Sequence, residues 1–345
     1  MSRRTFEDFP QGLTLEYGAY EVTREEIISF ASQFDPQPFH LDEEAGRRSI
    51  LGGLSASGWH TASIAMRLHC DNWLLDTAGL GSPGIPELRW MKPVRPGDVL
   101  RVRASVKSAR LSQSRPGLGL VECAYTVLNQ RDEELMIKRG MMMLATREGL
   151  DKLAARPLAP SPERALAHNA PLGVDDPASL PDDHGILTGF FEDVRIGHTI
   201  DAGKVHFDRE SIIAFARAYD PQPMHTDSEA ARAGPYGELI ASGWHTGSAC
   251  MRRLVETRAR YGEEARRRGL VEAAKGPSPG FCDLKWLKPV MAGDTIRFCM
   301  TAAEKRRTSR KGWGLVFSEF GGFNQYGDKV YEYKSISFWP LREAS

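Results

Sequence analysis

One octapeptide constrains this chain more than any other feature, because it is written twice. DPQPFHLD fills residues 35–42 and DPQPMHTD fills residues 220–227. The likeness spreads outward from it. TREEIISFASQFDPQPFH (23–40) aligns with DRESIIAFARAYDPQPMH (208–225), and SASGWHTASIAMRL (55–68) with IASGWHTGSACMRRL (240–254), at a constant offset of 185 residues. Further on, LRWMKPVRPGD (88–98) matches LKWLKPVMAGD (284–294) at an offset of 196, so the second copy carries eleven extra residues in ETRARYGEEARRRGLVEAAKG. A chain with such self-similarity is a duplication. It divides into an N-terminal repeat (1–148), a linker rich in Pro, Ala and Asp (149–186) and a C-terminal repeat (187–345). The two repeats are expected to pack as an intramolecular pseudo-dimer, with a further homo-oligomer open.

Within each repeat the pattern changes once. Ile27, Ile28, Phe30, Ala31 and Phe34 form a helical stripe that Thr23 caps, with Asp208 as the cap in the second copy. Pro36 ends that helix at Asp35, and 35–40 reads as a stiff turned loop. A second helix starts near Ser57 and Ser242 with small and apolar residues, as a buried helix would. The insert reads as its charged extension. Period-two segments follow at 99–106, 120–129 and 134–144, then at 295–302, 315–324 and 329–339. The fold class is α+β, a long buried helix against an antiparallel sheet, written twice.

Composition excludes several classes. Lys plus Arg and Asp plus Glu both count 45, so no global charge favours nucleic acid or an anionic membrane. Five cysteines without a CxxC pair argue against a disulfide framework or a zinc site, and no other metal set is expected. No apolar run approaches membrane-spanning length, and the N-terminal segment lacks an apolar signal core. A cytoplasmic location is expected. GLGSPG (79–84) spells a nucleotide-binding glycine pattern, but Pro83 and Pro86 forbid the helix that must follow.

The repeated polar residues suit one chemistry. Asp35 with His40, and Asp220 with His225, place a carboxylate and an imidazole on one rigid loop, where they can hold a water and move its protons. Gly58 and Gly243 open the buried helix, where free N–H groups can polarise a carbonyl. Together they fit addition of water to a double bond conjugated to a carbonyl, or its removal.

DPQPFH and DPQPMH, each followed by the glycine of ASGWHT, resemble the MaoC-like acyl dehydratases, which include the (R)-specific enoyl-CoA hydratases. The resemblance covers both repeats. It implies a double hot-dog fold and an acyl-CoA thioester substrate giving an (R)-3-hydroxyacyl product. It implies no cofactor beyond the coenzyme A of the substrate. It further implies Asp35/His40 and Asp220/His225 as catalytic dyads and the Gly58 and Gly243 N–H groups as oxyanion donors. Gln37 and Gln222 replace the family's asparagine, and Trp59 and Trp244 stand where a smaller apolar residue is usual. These four, with Ser57, Ser242, Lys92 and Lys288, are candidate substrate-binding residues. Both dyads are intact, so two working sites are expected. His60 and His245 read as packed helix residues, and Asp42 and Asp227 as caps. The basic hairpin residues Arg101, Arg103, Lys107, Arg110 and Arg115, with Lys305, Arg306, Arg307, Arg310 and Lys311, read as a solvated face or a dock for coenzyme-A phosphates. A hot-dog thioesterase and a non-catalytic acyl-CoA-binding protein are the alternatives.

Overall fold

The computed structural model describes residues 3–150, 185–273 and 276–342. The linker reading over 151–184 falls outside the described residues. The first repeat runs β1 (Thr14–Glu21), α1 (Arg24–Phe34), α2 (Pro38–Leu41), α3 (Glu43–Arg48), α4 (Gly58–Asn72), β2 (Gly84–Trp90), β3 (Val99–Leu111), β4 (Leu118–Leu128) and β5 (Glu134–Ala145). The second, after a buried helical turn α5 (Gly185–Thr188), runs β6 (Thr199–His206), α6 (Arg209–Tyr219), α7 (Pro223–Thr226), α8 (Ser228–Ala233) and α9 (Gly243–Arg267). It ends in β7 (Gly280–Trp286), β8 (Thr295–Arg307), β9 (Trp313–Phe323) and β10 (Lys329–Pro340).

Thr23 and Asp208 cap α1 and α6, accepting from the N–H of Glu26 and Ser211. Asp42 and Asp227 cap α3 and α8 as expected. One local expectation is corrected. The stiff loop is shorter than 35–40, because Pro38 and Pro223 each open a helical turn that contains the histidine. Proline's fixed φ suits the first helical position, where an N–H would have no acceptor. The insert continues α9 to 25 residues, against 15 for α4.

Among the described residues, the ten strands join one antiparallel sheet in the order β1-β3-β4-β5-β2-β7-β10-β9-β8-β6. The order reads symmetrically outward from the β2–β7 seam, where Gly84 faces Lys285 and Arg89 faces Gly280. These two pairs are pseudo-equivalent, as a self-complementary interface requires. At both seam glycines a Cβ would run into the partner strand's carbonyl oxygen, that of Leu284 or Leu88.

The two central helices touch, and one apolar core includes residues of both repeats. Each helix also grips the other repeat's first helix. Arg67 of α4 donates to the carbonyl of Arg217 at 2.8 Å, and Arg252 of α9 donates to those of Ser32 at 2.5 Å and Gln33 at 3.0 Å. An arginine satisfies unpaired carbonyls at a helix C-terminus and complements its dipole. Each dyad turn begins just after the end so held. His60 stacks on Phe30 at 4.4 Å and His245 on Phe215 at 4.7 Å, both buried, so both pack within the helix layer.

Candidate active site

Each dyad is built by a turn meeting a helix start. Asp35 and Asp220 end α1 and α6, and their side chains turn inward, 2 % and 3 % exposed. Ser57 and Ser242 cap the central helices and donate their hydroxyls to the carboxylates at 2.6 Å. Gln37 and Gln222 donate their amides to the other carboxylate oxygen at 2.9 Å. The longer glutamine therefore still reaches the aspartate.

The histidines are fixed by their far nitrogen. His40 Nδ1 lies 2.7 Å from the Ser55 carbonyl and His225 Nδ1 lies 2.8 Å from the Ile240 carbonyl. A carbonyl only accepts, so Nδ1 carries the proton. In the neutral ring Nε2 is then an acceptor. It faces the carboxylate at 3.6 Å for His40–Asp35 and 3.5 Å for His225–Asp220. Two acceptors at that separation suit one small molecule with two hydrogens to donate, which describes water.

Gly58 and Gly243 are the first residues of α4 and α9, so their N–H groups lack intrahelical acceptors. Trp90 and Trp286 cover them so closely that any Cβ would collide with the indole. Trp90 Nε1 donates to the Gly58 carbonyl at 3.1 Å, whereas Trp286 Nε1 has no partner among the described residues.

The two sites differ in what surrounds them. A cavity of about 1560 Å³ is lined by Asp220, Gln222, His225, Gly243, Trp244 and Trp286. Its opposite wall comes from the first repeat, including His69, Tyr125 and Lys138. Asp35 and His40 do not line it. At the pseudo-equivalent positions the second repeat carries Leu254, Phe320 and Tyr333. Phe320 and Tyr333 stack at 4.4 Å beside Tyr331 and fill the corresponding space with rings. Asp220 also receives a third donor, Cys70 Sγ at 3.6 Å, a position that is Val255 in the second copy. Burial pushes the Cys70 thiol pKa up, so it stays a donor.

The chain matches the sequence profile described as "MaoC like domain" twice, over residues 10–123 and 192–315. It belongs to the MaoC-like family. Among curated proteins, the uncharacterized protein YdeM of Bacillus subtilis is 26 % identical over 126 residues, covering 36 % of this chain and 88 % of YdeM. Protein MaoC of Klebsiella aerogenes is 28 % identical over 114 residues, 33 % of each chain. A solved MaoC domain protein, described as a putative dehydratase, from Chloroflexus aurantiacus superposes with a TM-score of 0.73 at 17 % identity, over 99 % of this chain and 98 % of that one. A Mycobacterium tuberculosis protein described as having a double hot-dog fold gives 0.67 at 14 % identity, covering 97 % and 98 %. The fold is a double hot-dog.

The remaining sequence candidates separate. Trp244 lines the cavity, while Trp59 packs between the repeats, stacked on Phe281 at 5.3 Å. Lys288 lies on the cavity wall and pairs with Asp328 at 2.7 Å; Lys92 pairs with Glu133 at 2.9 Å away from it. Arg101 and Arg103 are engaged by Glu16, and Lys305 by backbone carbonyls, whereas exposed Arg115 lies at the cavity rim. Among the described residues no three His, Cys, Asp or Glu side chains converge as a metal set. Sequence reading missed Cys70, His69, Tyr125, Lys138 and the Arg67/Arg252 pair. The signal for the first four is departure from symmetry at aligned positions. No helix among the described residues is long and apolar enough to cross a membrane.

Proposed function

We propose that the protein is an acyl-CoA hydratase or dehydratase that reversibly adds water to a trans-2-enoyl thioester, and that the Asp220/His225 site does the work. The observation that carries this reading is the pair of facing acceptors, His225 Nε2 and Asp220 Oδ2, at 3.5 Å on the wall of the large cavity. Membership of the MaoC-like family and the dehydratase description of a solved relative support the reaction class.

In this reading one water donates to both acceptors. Asp220 takes a proton from the water as its oxygen attacks C3 and returns that proton to C2, while His225 Nε2 accepts the water's other hydrogen and orients it. The Gly243 N–H, at the positive end of α9, accepts the charge that develops on the thioester oxygen. Ser242, Gln222 and Cys70 keep the carboxylate in place, which limits reorganisation during the reaction. The hydroxyl product would have the R configuration. Asp35/His40 has the same internal bonds but lies against packed rings, and acts as scaffold.

The test follows the conjugated enoyl-thioester absorbance of trans-2-enoyl-CoAs after adding the full chain, with chiral analysis of the product. Loss of absorbance without thiol release supports hydration. Thiol release from saturated acyl-CoA would replace it with the thioesterase reading, and binding without turnover with the non-catalytic one.

A further inference from the structure

The cavity contains a charge that water addition does not require. Lys138, on β5, is buried at 6 % exposure and projects into the cavity. Among the described residues no carboxylate lies within ion-pair distance of its Nζ. The groups in direct contact with it are neutral. The Tyr125 ring centroid is 4.5 Å from Nζ and the Trp244 ring centroid 5.5 Å. His69 Nε2, at 3.1 Å, accepts from the ammonium, and this places the His69 proton on Nδ1, 2.9 Å from the Tyr17 hydroxyl.

A buried ammonium without a carboxylate in direct contact is costly, and a fold keeps one only where something repays the cost. The sheet itself does not need it, because the pseudo-equivalent position is Tyr333. Aromatic faces and one imidazole stabilise the cation in part and leave donors facing the cavity. Lys138 lines the same cavity as Asp220 and Gly243, and Asp220 is near enough to favour its charge, so an acyl chain held at that centre shares the cavity with the ammonium.

We infer that Lys138 is a specificity determinant that binds a carboxylate on the substrate's acyl chain, so that the preferred substrate is a short enoyl thioester ending in a carboxylate. This rests on the hydratase reading for the reaction, but not for the binding. The cation is available near neutral pH. Burial lowers the Lys138 pKa to about 8, while Asp220, from the turn after α6, favours its charge. The other groups facing it stay neutral: burial pulls His69, from α4, well down and pushes Tyr125 and Cys123, from β4, up, with Tyr17 behind His69 also pushed up. The preference for a carboxylate therefore shrinks as pH rises through about 8.

The test compares trans-glutaconyl-CoA with trans-2-pentenoyl-CoA, which match in chain length and differ in the terminal carboxylate. A charge-assisted contact gives about a tenfold or greater advantage in kcat/KM to the carboxylated thioester, and Lys138→Met removes most of that ratio. A merely structural lysine would lower both substrates alike and leave the ratio intact, which overturns the inference. Titration calorimetry with the saturated pair, glutaryl-CoA and valeryl-CoA, reads the same preference without catalysis. Tighter glutaryl binding that Lys138→Met abolishes, with no turnover of either enoyl thioester, would keep the carboxylate site and remove the hydratase. Hydration of pentenoyl-CoA with equal binding of the saturated pair would do the reverse. Failure of both saturated thioesters to bind overturns the carboxylate site as well.

Discussion

Asp35 and Asp220 have nearly identical inner partners, a serine hydroxyl at 2.6 Å and a glutamine amide at 2.9 Å. Replacing either with Asn turns an amide donor toward a buried donor, at a cost of about 1–3 kcal/mol. Urea titrations of Asp35→Asn and Asp220→Asn should therefore show similar stability losses, even though only one aspartate faces the large cavity. The dyads were legible in the sequence because all their parts except the Ser-Gly helix start lie in one short turn with two prolines. Lys138 was not legible. ELMIKRG alternates like a strand, and a lysine on a strand ordinarily marks the solvent face; only its placement against Tyr125 and Trp244 shows it buried. A third residue gives a pH dependence. Burial pulls His245 from 6.5 to about 3, with Asp208 opposing, so the fold keeps it neutral while the unfolded chain protonates it. Its contribution to stability is complete above pH 6.5 and is lost as pH falls from there toward 3, by up to about 1.4 kcal/mol per pH unit. His245→Gln should flatten the acid limb of a plot of melting temperature against pH, and an unchanged limb would contradict this.

Among the elements, the seam between β2 and β7 makes one sheet out of two. Gly84 and Gly280 leave no space for a side chain there. Gly280→Val should destabilise the protein by about 1–3 kcal/mol or more, the usual range for overpacking, and thermal denaturation would show it. A neutral outcome would mean that the strands separate at the seam without cost. The seam strands carry the repeated LRW and LKW segments, yet their pairing with each other was beyond local pattern. The edge strands β1 and β6 were also missed. Each contains a bulge, at Gly18 (φ +95°) and Gly203 (φ +87°), which breaks the two-residue alternation by which a strand is recognised. The long helices and inner strands were legible because their periods run uninterrupted.

At the scale of the whole molecule, duplication gave two copies of a dyad and divergence placed different side chains opposite them. The wall facing Asp220 belongs to the first repeat, so the second repeat alone lacks half of its cavity. Residues 187–345 produced alone should bind acyl thioesters poorly even if they fold, and adding the first repeat should restore binding in calorimetry. Sequence symmetry suggested two equal sites; the differences at 69/254, 125/320 and 138/333 favour one. The most direct test measures trans-2-enoyl-CoA hydration by the wild type, Asp35→Asn and Asp220→Asn, each confirmed as folded. The prediction is a loss of about 100-fold or more in kcat for Asp220→Asn, the size of a lost general base, with Asp35→Asn retaining most activity. Equal halving in the two variants, or abolition by Asp35→Asn, would contradict it.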